Sequence, residues 1–193
     1  MIKAAILDLD ALVQKGSAIP LPGIPERLAS FSAQRIPLAI ISNQNTLIER
    51  TAEQRAFSPD GVSVPARVAA NIKEITQELG LYGVPWFISL GDANARRRMS
   101  DAQYQGLIEQ IAFELGSFFP EGALFVSQVI GPAPALFLTI AQHLQVAPSE
   151  CLYLGVGEKE REAAEAAGMT CELVPAIEVA AFEATFGSFE ATL

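Results

Sequence analysis

Two aspartates one residue apart, Asp8 and Asp10, close a short apolar run at the start of the chain, MIKAAILDLDALV. If Lys3 to Leu9 forms a buried strand, both carboxylates emerge at its carboxyl end, where an open α/β sheet gathers its ligands. Carboxylates leaving a hydrophobic strand are costly to desolvate unless a metal, a network of donors or a reaction holds them. The plainer alternative is that Asp8 caps the following turn and Asp10 is solvated, and the pair alone leaves both readings open. Two further tips repeat the geometry. PLAII, residues 37 to 41, ends at Ser42 and Asn43, a hydroxyl and an amide, and CLYL, residues 151 to 154, breaks at Gly155-Val156-Gly157 before Glu158 and Glu160.

The elements that must position these groups alternate along the chain. Buried-strand patterns are expected at Lys3 to Leu9, Pro37 to Ile41, Trp86 to Leu90, Ala123 to Ser127, Cys151 to Leu154 and Thr170 to Val174. Helical spacing is expected between them: Ile24 to Gln34, with Pro25 in its first turn; a helix from Asn45 towards Arg55; and Ala66 to Leu79, with Val68, Ile72, Ile75 and Leu79 on one face and Gly80 as its stop. Ser100 and Asp101 cap a helix through Phe113 with Leu107, Ile108, Ile111 and Leu115 as its buried stripe; Ala135 to Leu144, Glu158 to Ala167 and Pro175 to Phe182 follow, and Glu183 to Leu193 is weakly patterned. Gln14 to Gly23, Phe57 to Pro65 and Gly91 to Met99 read as loops, the last holding Arg96, Arg97 and Arg98 as a solvated basic run. His143 falls inside a helix without an evident partner, which makes it a surface or core residue. Phe118, Phe119, Phe182 and Phe186 are expected in the core.

Strands and helices alternating at about 30-residue spacing imply parallel pairing through right-handed crossovers, hence an α/β, doubly wound, three-layer sheet with function at the strands' carboxyl ends. A chain of 193 residues, 50% hydrophobic and 18% charged, buries a core as one domain over 1–193, with a small elaboration at about 45–100. Lys and Arg number 13 against 22 acids, for a net charge of -9, which argues against a general grip on nucleic acid or an anionic membrane. Cys151 and Cys171 have no metal-ligand spacing and are expected as reduced thiols. No apolar run is long enough for a transmembrane helix, and the acid pair sits where a signal peptide needs its apolar region, so the cytoplasm is the expected compartment.

The tips LDLDALV, IISNQ and LYLGVGEKEREAAEAAGMT, with GPAPALF before the last, resemble in order and spacing the motifs of the haloacid dehalogenase (HAD) superfamily, and the likeness runs from Ile2 to about Thr170. The interval from Asp8 to Ser42 leaves no room for a large cap domain, so the chain looks most like the small, cap-poor phosphatases of that superfamily. The resemblance implies a Rossmann-like core and a hydrolase acting on a small phosphorylated molecule. Asp8 would attack the phosphoryl group and form an aspartyl-phosphate while Asp10 serves as general acid and then base. Ser42 and Asn43 would bind phosphate. A magnesium ion, held by Asp8, by Asp10 and by a later acid for which Glu160 is the candidate, would screen the charge.

The sequence departs from the pattern at two points. Gly131 stands where the superfamily has a lysine, and Val156 stands where it has the first metal-binding acid. Both losses affect charge balance around a transferring phosphoryl group, where removal of one stabilising group costs a factor of about 100 to 1,000. Ala11 and Leu12 also replace the usual glycine and threonine beside Asp10. Glu158 or Glu160 could supply the acid, and Lys15 or one of Arg96 to Arg98 the cation. Two readings follow: a magnesium-dependent phosphomonoesterase of HAD type, or a degenerate HAD fold serving as a ligand-binding or interaction module.

Overall fold

A computed structural model describes residues 1–14, 17–44, 46–54, 61–120, 122–130 and 132–174. The expected elements at Pro175 to Phe182 and Glu183 to Leu193, and the positions Lys15, Asn45, Arg55, Phe57, Gly131, Phe182 and Phe186, lie outside the described residues. Among the described residues six strands form one parallel sheet: β1 (Ala4–Asp8), β2 (Leu38–Asn43), β3 (Trp86–Gly91), β4 (Leu124–Ile130), β5 (Cys151–Gly155) and β6 (Thr170–Leu173). Their order is β4-β3-β2-β1-β5-β6. The chain therefore winds outward from β1 to β4, returns, and lays β5 on the other side of β1. That reversal makes the β1/β5 boundary the switch point, where neighbouring crossovers diverge and leave a crevice at the strand tips.

Why the sheet has two covered faces is visible in its strands. β1, β3 and β5 read as continuous apolar runs, as a sheet packed on both sides requires. Alternate residues feed two separate cores. Ala5, Leu7, Ile40, Trp86 and Ile88 pack with α1 (Ile24–Ala33), α2 (Leu47–Gln54), α3 (Val64–Glu78) and α5 (Asp101–Gly116). Ala4, Ile6, Ile41, Phe87 and Tyr153 pack with α6 (Pro134–His143) and α7 (Glu158–Ala166). The three-layer, doubly wound architecture expected from the sequence is thus present, with no large cap among the described residues.

Local chemistry sets the helix ends. Gly23, in the left-handed region at φ 82°, admits Pro25 into the first turn of α1, and Ser100 with Gln103 forms a reciprocal capping box on α5. Three expectations need correction. The basic stretch in 91–99 is not a loop: Asp92 caps a short helix, α4 (Ala93–Arg98), by accepting from the N–H groups of Asn94 and Ala95. The buried face of α3 runs through Val64, Ala69, Ile72 and Ile75, while Val68 and Leu79, which fall within the same stripe, are only half-buried, Leu79 being already the cap beyond the helix end. Phe118 is exposed, whereas Phe119 packs towards Trp86 with ring centroids 6.1 Å apart. His143 is exposed and lies edge-on to Phe87 and Phe125. Both cysteines are free thiols. Among the described residues no helix is long and apolar enough to cross a membrane.

Candidate functional site

The site is assembled at the β1/β5 switch point. β1 ends at Asp8, and the chain turns at once into a 3-10 turn, Leu9–Ala11, whose first N–H groups need acceptors. Asp8 Oδ1 accepts the Asp10 N–H at 3.1 Å, so Asp8 does cap the turn, as the plainer sequence reading proposed. Its other oxygen is taken from across the switch point. The Tyr153 hydroxyl donates to Asp8 Oδ2 at 2.9 Å, a contact 145 residues apart in sequence. Asp10 itself is exposed.

Register explains the reach of Tyr153. Ile6 pairs with Tyr153 and Leu7 with Leu154, so the Tyr153 ring starts two residues below the level of Asp8 on the same face. It climbs along its own strand over Gly155. A Cβ at Gly155 would overlap the ring and the hydroxyl, so a side chain there would evict the tyrosine. The ring is fully buried and packs edge-on against Phe137, centroids 5.0 Å apart. Gly157 makes room in the same way, because the Glu160 carboxylate folds back over the space that a Cβ would fill.

Charge at this tip is one-sided. Asp8 still reaches solvent to some extent, yet loss of water around its carboxyl is the largest influence on it. Together with repulsion from Asp10 and Glu160, and against the bonds from Tyr153 and the Asp10 N–H, it pushes the pKa from the ordinary 3.8 up to about 7. Burial and the neighbouring Asp8 in turn raise the Tyr153 phenol far above its usual range. The hydroxyl therefore acts as a donor and not as a phenolate.

The other sequence candidates are placed elsewhere or engaged otherwise. Ser42 pairs in register with Ile88 and Asn43 with Ser89, so alternation sets buried Ser42 on the Ile40 side of the sheet and exposed Asn43 on the Asp8 side. The Ser42 hydroxyl accepts from Gln44 Nε2 at 2.9 Å. Glu158 is held by Arg161, with Nε 2.7 Å away. Arg98 pairs with Glu49 at 3.2 Å, Arg97 donates to Asn94 at 2.7 Å, and Arg96 lies 6.0 Å from the Tyr104 ring centre, so the basic run serves α4 and its neighbours. Tyr153 is the site residue that sequence reasoning missed. Its signal was a tyrosine two positions before a glycine on the strand that follows the return crossover.

A magnesium ion demands several oxygen ligands in near-octahedral array. The residues present do not fit that demand. Each Asp8 oxygen already has one lone pair engaged by a hydrogen bond, Val156 brings no side-chain oxygen, and among the described residues no three acids, histidines or cysteines are grouped to hold a metal.

No family model matches the chain, and no curated protein matches it. Solved structures of similar chain course include NagD from E. coli K-12, at 15% identity and TM-score 0.45, covering 90% of this chain and 88% of that one. A p-nitrophenyl phosphatase from Archaeoglobus fulgidus is 14% identical with TM-score 0.45, covering 97% and 93%. A HAD family enzyme from Bacteroides thetaiotaomicron, solved with magnesium and inorganic phosphate, is 13% identical with TM-score 0.35, covering 92% and 96%. The chemistry of the present site rests on its own residues.

Proposed function

We propose that the chain is a single-domain, catalytically degenerate HAD-type protein that binds a small ligand at the β1 and β5 tips and does not turn over a phosphate ester. The observation that carries this reading is the Tyr153 hydroxyl on Asp8 Oδ2. A nucleophilic carboxylate must offer an unengaged lone pair to an anionic phosphoryl group, and the approach needs positive charge nearby. Here one lone pair of each Asp8 oxygen is taken, by the phenol and by the Asp10 N–H, and the charged neighbours acting on Asp8 are two more acids. A tip of this composition suits a neutral or cationic ligand that donates hydrogen bonds to Asp8 and Asp10. Neither nucleic acid nor membrane suits the acidic chain, and free thiols at Cys151 and Cys171 accord with work in the cytoplasm.

One observation favours a second reading, a HAD-type phosphomonoesterase for a small phosphorylated metabolite: Asp8 and Asp10 are both retained at the switch point, with Asp10 exposed for proton transfer. In that reading Asp8 is the nucleophile, Asp10 the acid and base, and Asn43, on the Asp8 side of the sheet, the phosphate contact. Magnesium titration calorimetry and p-nitrophenyl phosphate hydrolysis, on wild type, Asp8→Asn and Val156→Asp, separate the two. Degeneracy predicts that wild type neither takes up magnesium nor hydrolyses the ester faster than Asp8→Asn does. Magnesium-dependent turnover that Asp8→Asn abolishes would overturn it in favour of the esterase.

A further inference from the structure

A second concavity lies on the Ile40 face of the sheet, away from the Asp8 side chain. Two helix ends leave it open. α3 stops before Gly80, which sits in the left-handed region at φ 65°, and the chain turns through Leu81 to Pro85 into β3. α5 ends at Gly116, and the turn after it carries Phe118 and Phe119. Between these ends is a cavity of about 180 Å³ lined by Trp86, the first residue of β3, by Lys73 and Thr76 of α3, and by Tyr82, Phe118 and Phe119.

Several of these side chains lack the partners their chemistry calls for. Trp86 is 1% exposed, and its indole N–H has no hydrogen-bond partner among the described residues. A buried indole ordinarily finds an acceptor, so this donor is one that a bound molecule can serve. Tyr82 and Phe118 leave their rings largely in solvent, at 70% and 45% exposure. Lys73 is the only charged side chain of the lining, and it has no ion-pair partner among the described residues. The Thr76 hydroxyl, by contrast, already donates to the Ile72 carbonyl at 2.8 Å.

We infer that this cavity binds a single aromatic ring bearing one carboxylate, the ring held among Trp86, Tyr82, Phe118 and Phe119 and the carboxylate on Lys73. Size selects one ring, since an apolar cavity of about 150 Å³ holds benzene. The lining selects an arene, because aromatic side chains gain from offset or edge-on aromatic partners beyond the area they bury. Charge selects a monoanion. Lys73 repels a cation, and one lysine on a mostly apolar wall does not replace the water around a doubly charged phosphate. In a chain of net charge -9, an unpaired lysine beside four aromatic side chains is a local exception that an aromatic acid fits on both counts.

Trp86 is the chain's one tryptophan, so its emission reports on this cavity. The full chain is titrated with benzoate, with benzamide, which has the same shape and no charge, and with cyclohexanecarboxylate, which has the same charge on a saturated ring. Benzoate is expected to change the emission saturably and to bind about threefold to fivefold more tightly than benzamide, the upper end of what an exposed ion pair supplies. Lys73→Met should erase that preference, and Phe118→Ala should weaken benzoate binding by about fivefold or more. Both positions are exposed, so circular dichroism is expected to stay unchanged. The inference is overturned if benzoate gives no saturable change at millimolar concentration, if the preference over benzamide survives Lys73→Met, or if Phe118→Ala leaves the affinity as it was. Cyclohexanecarboxylate bound as tightly as benzoate would overturn it in favour of an aliphatic acid.

Discussion

Asp8 and Asp92 are the same device used twice. Asp8 ends β1 and Asp92 directly follows β3, and each caps what comes next, Asp8 the 3-10 turn and Asp92 the helix α4. Asp92 is the more buried, at 8% exposure, and its Oδ1 accepts two backbone N–H groups at 2.8 and 3.0 Å. Asp8 receives one backbone N–H and must import its second donor from Tyr153 on another strand. Burial of a carboxylate is therefore not what marks a site. What marks Asp8 is that its second oxygen is served by a side chain from another strand, at the one boundary of the sheet where the crossovers diverge.

The sharpest way to break the contrast is at Gly155, the notch through which the Tyr153 ring passes. Gly155→Ala places a methyl group where the ring and hydroxyl lie, and the ring has no room to yield against Phe137. Overpacking of this kind costs about 1 to 3 kcal/mol, with the lost hydrogen bond to Asp8 in addition. The expected outcome is a fall in melting temperature of several degrees, at roughly 2 to 4 °C per kcal/mol for a chain of this size. An unchanged melting temperature would show that Tyr153 does not lie over Gly155.

The two aspartates should then respond with opposite signs. Asp92→Ala removes a helix cap and is expected to cost about 1 to 2 kcal/mol. Asp8→Asn should stabilise the chain near pH 8. Folded, Asp8 keeps its proton up to about pH 7, whereas the unfolded chain releases it near a pH of about 4. Between these values the folded state binds the extra proton, so stability falls as pH rises, by up to about 1.4 kcal/mol per pH unit. Asparagine carries no charge and escapes that loss. Thermal melts at pH 4.5 and pH 8 check both signs: the Asp8→Asn gain is confined to the higher pH, and destabilisation by Asp8→Asn at pH 8 would contradict the raised pKa.

Most of this architecture was legible because its cause is local. Six apolar runs of strand length, with Gly23, Gly80 and Gly168 at helix boundaries, marked the elements and their alternation, and alternation implies a parallel sheet with a switch point. Asp8 and Asp10 were legible for the same reason, as polar residues closing an apolar run. α4 was missed because three arginines in a row read as solvated loop, although Asp92 before Ala-Asn-Ala is a cap signature. Tyr153 was missed for a different reason. In the sequence it is one more apolar letter in CLYLG, and its bond to Asp8 exists only because β5 returns to pair with β1 in the register that sets Ile6 beside it.

The smallest effect is also the most specific to the pair. Tyr153→Phe deletes the donor to Asp8 Oδ2 and keeps the ring packing, so its cost at pH 5, where Asp8 is protonated, is that of one neutral hydrogen bond, about 1 kcal/mol. At pH 8 the same bond serves a carboxylate, and bonds to charged groups are worth about 1.5 to 3 kcal/mol. The penalty should therefore grow by about 1 kcal/mol between the two pH values, because the hydroxyl is one of the groups that hold the Asp8 pKa down. In an Asp8→Asn background the growth should vanish, since no proton remains to be linked. A Tyr153→Phe penalty that is equal at pH 5 and pH 8 would mean that the phenol only packs, and that Asp8 differs from Asp92 in its surroundings and not in its partner.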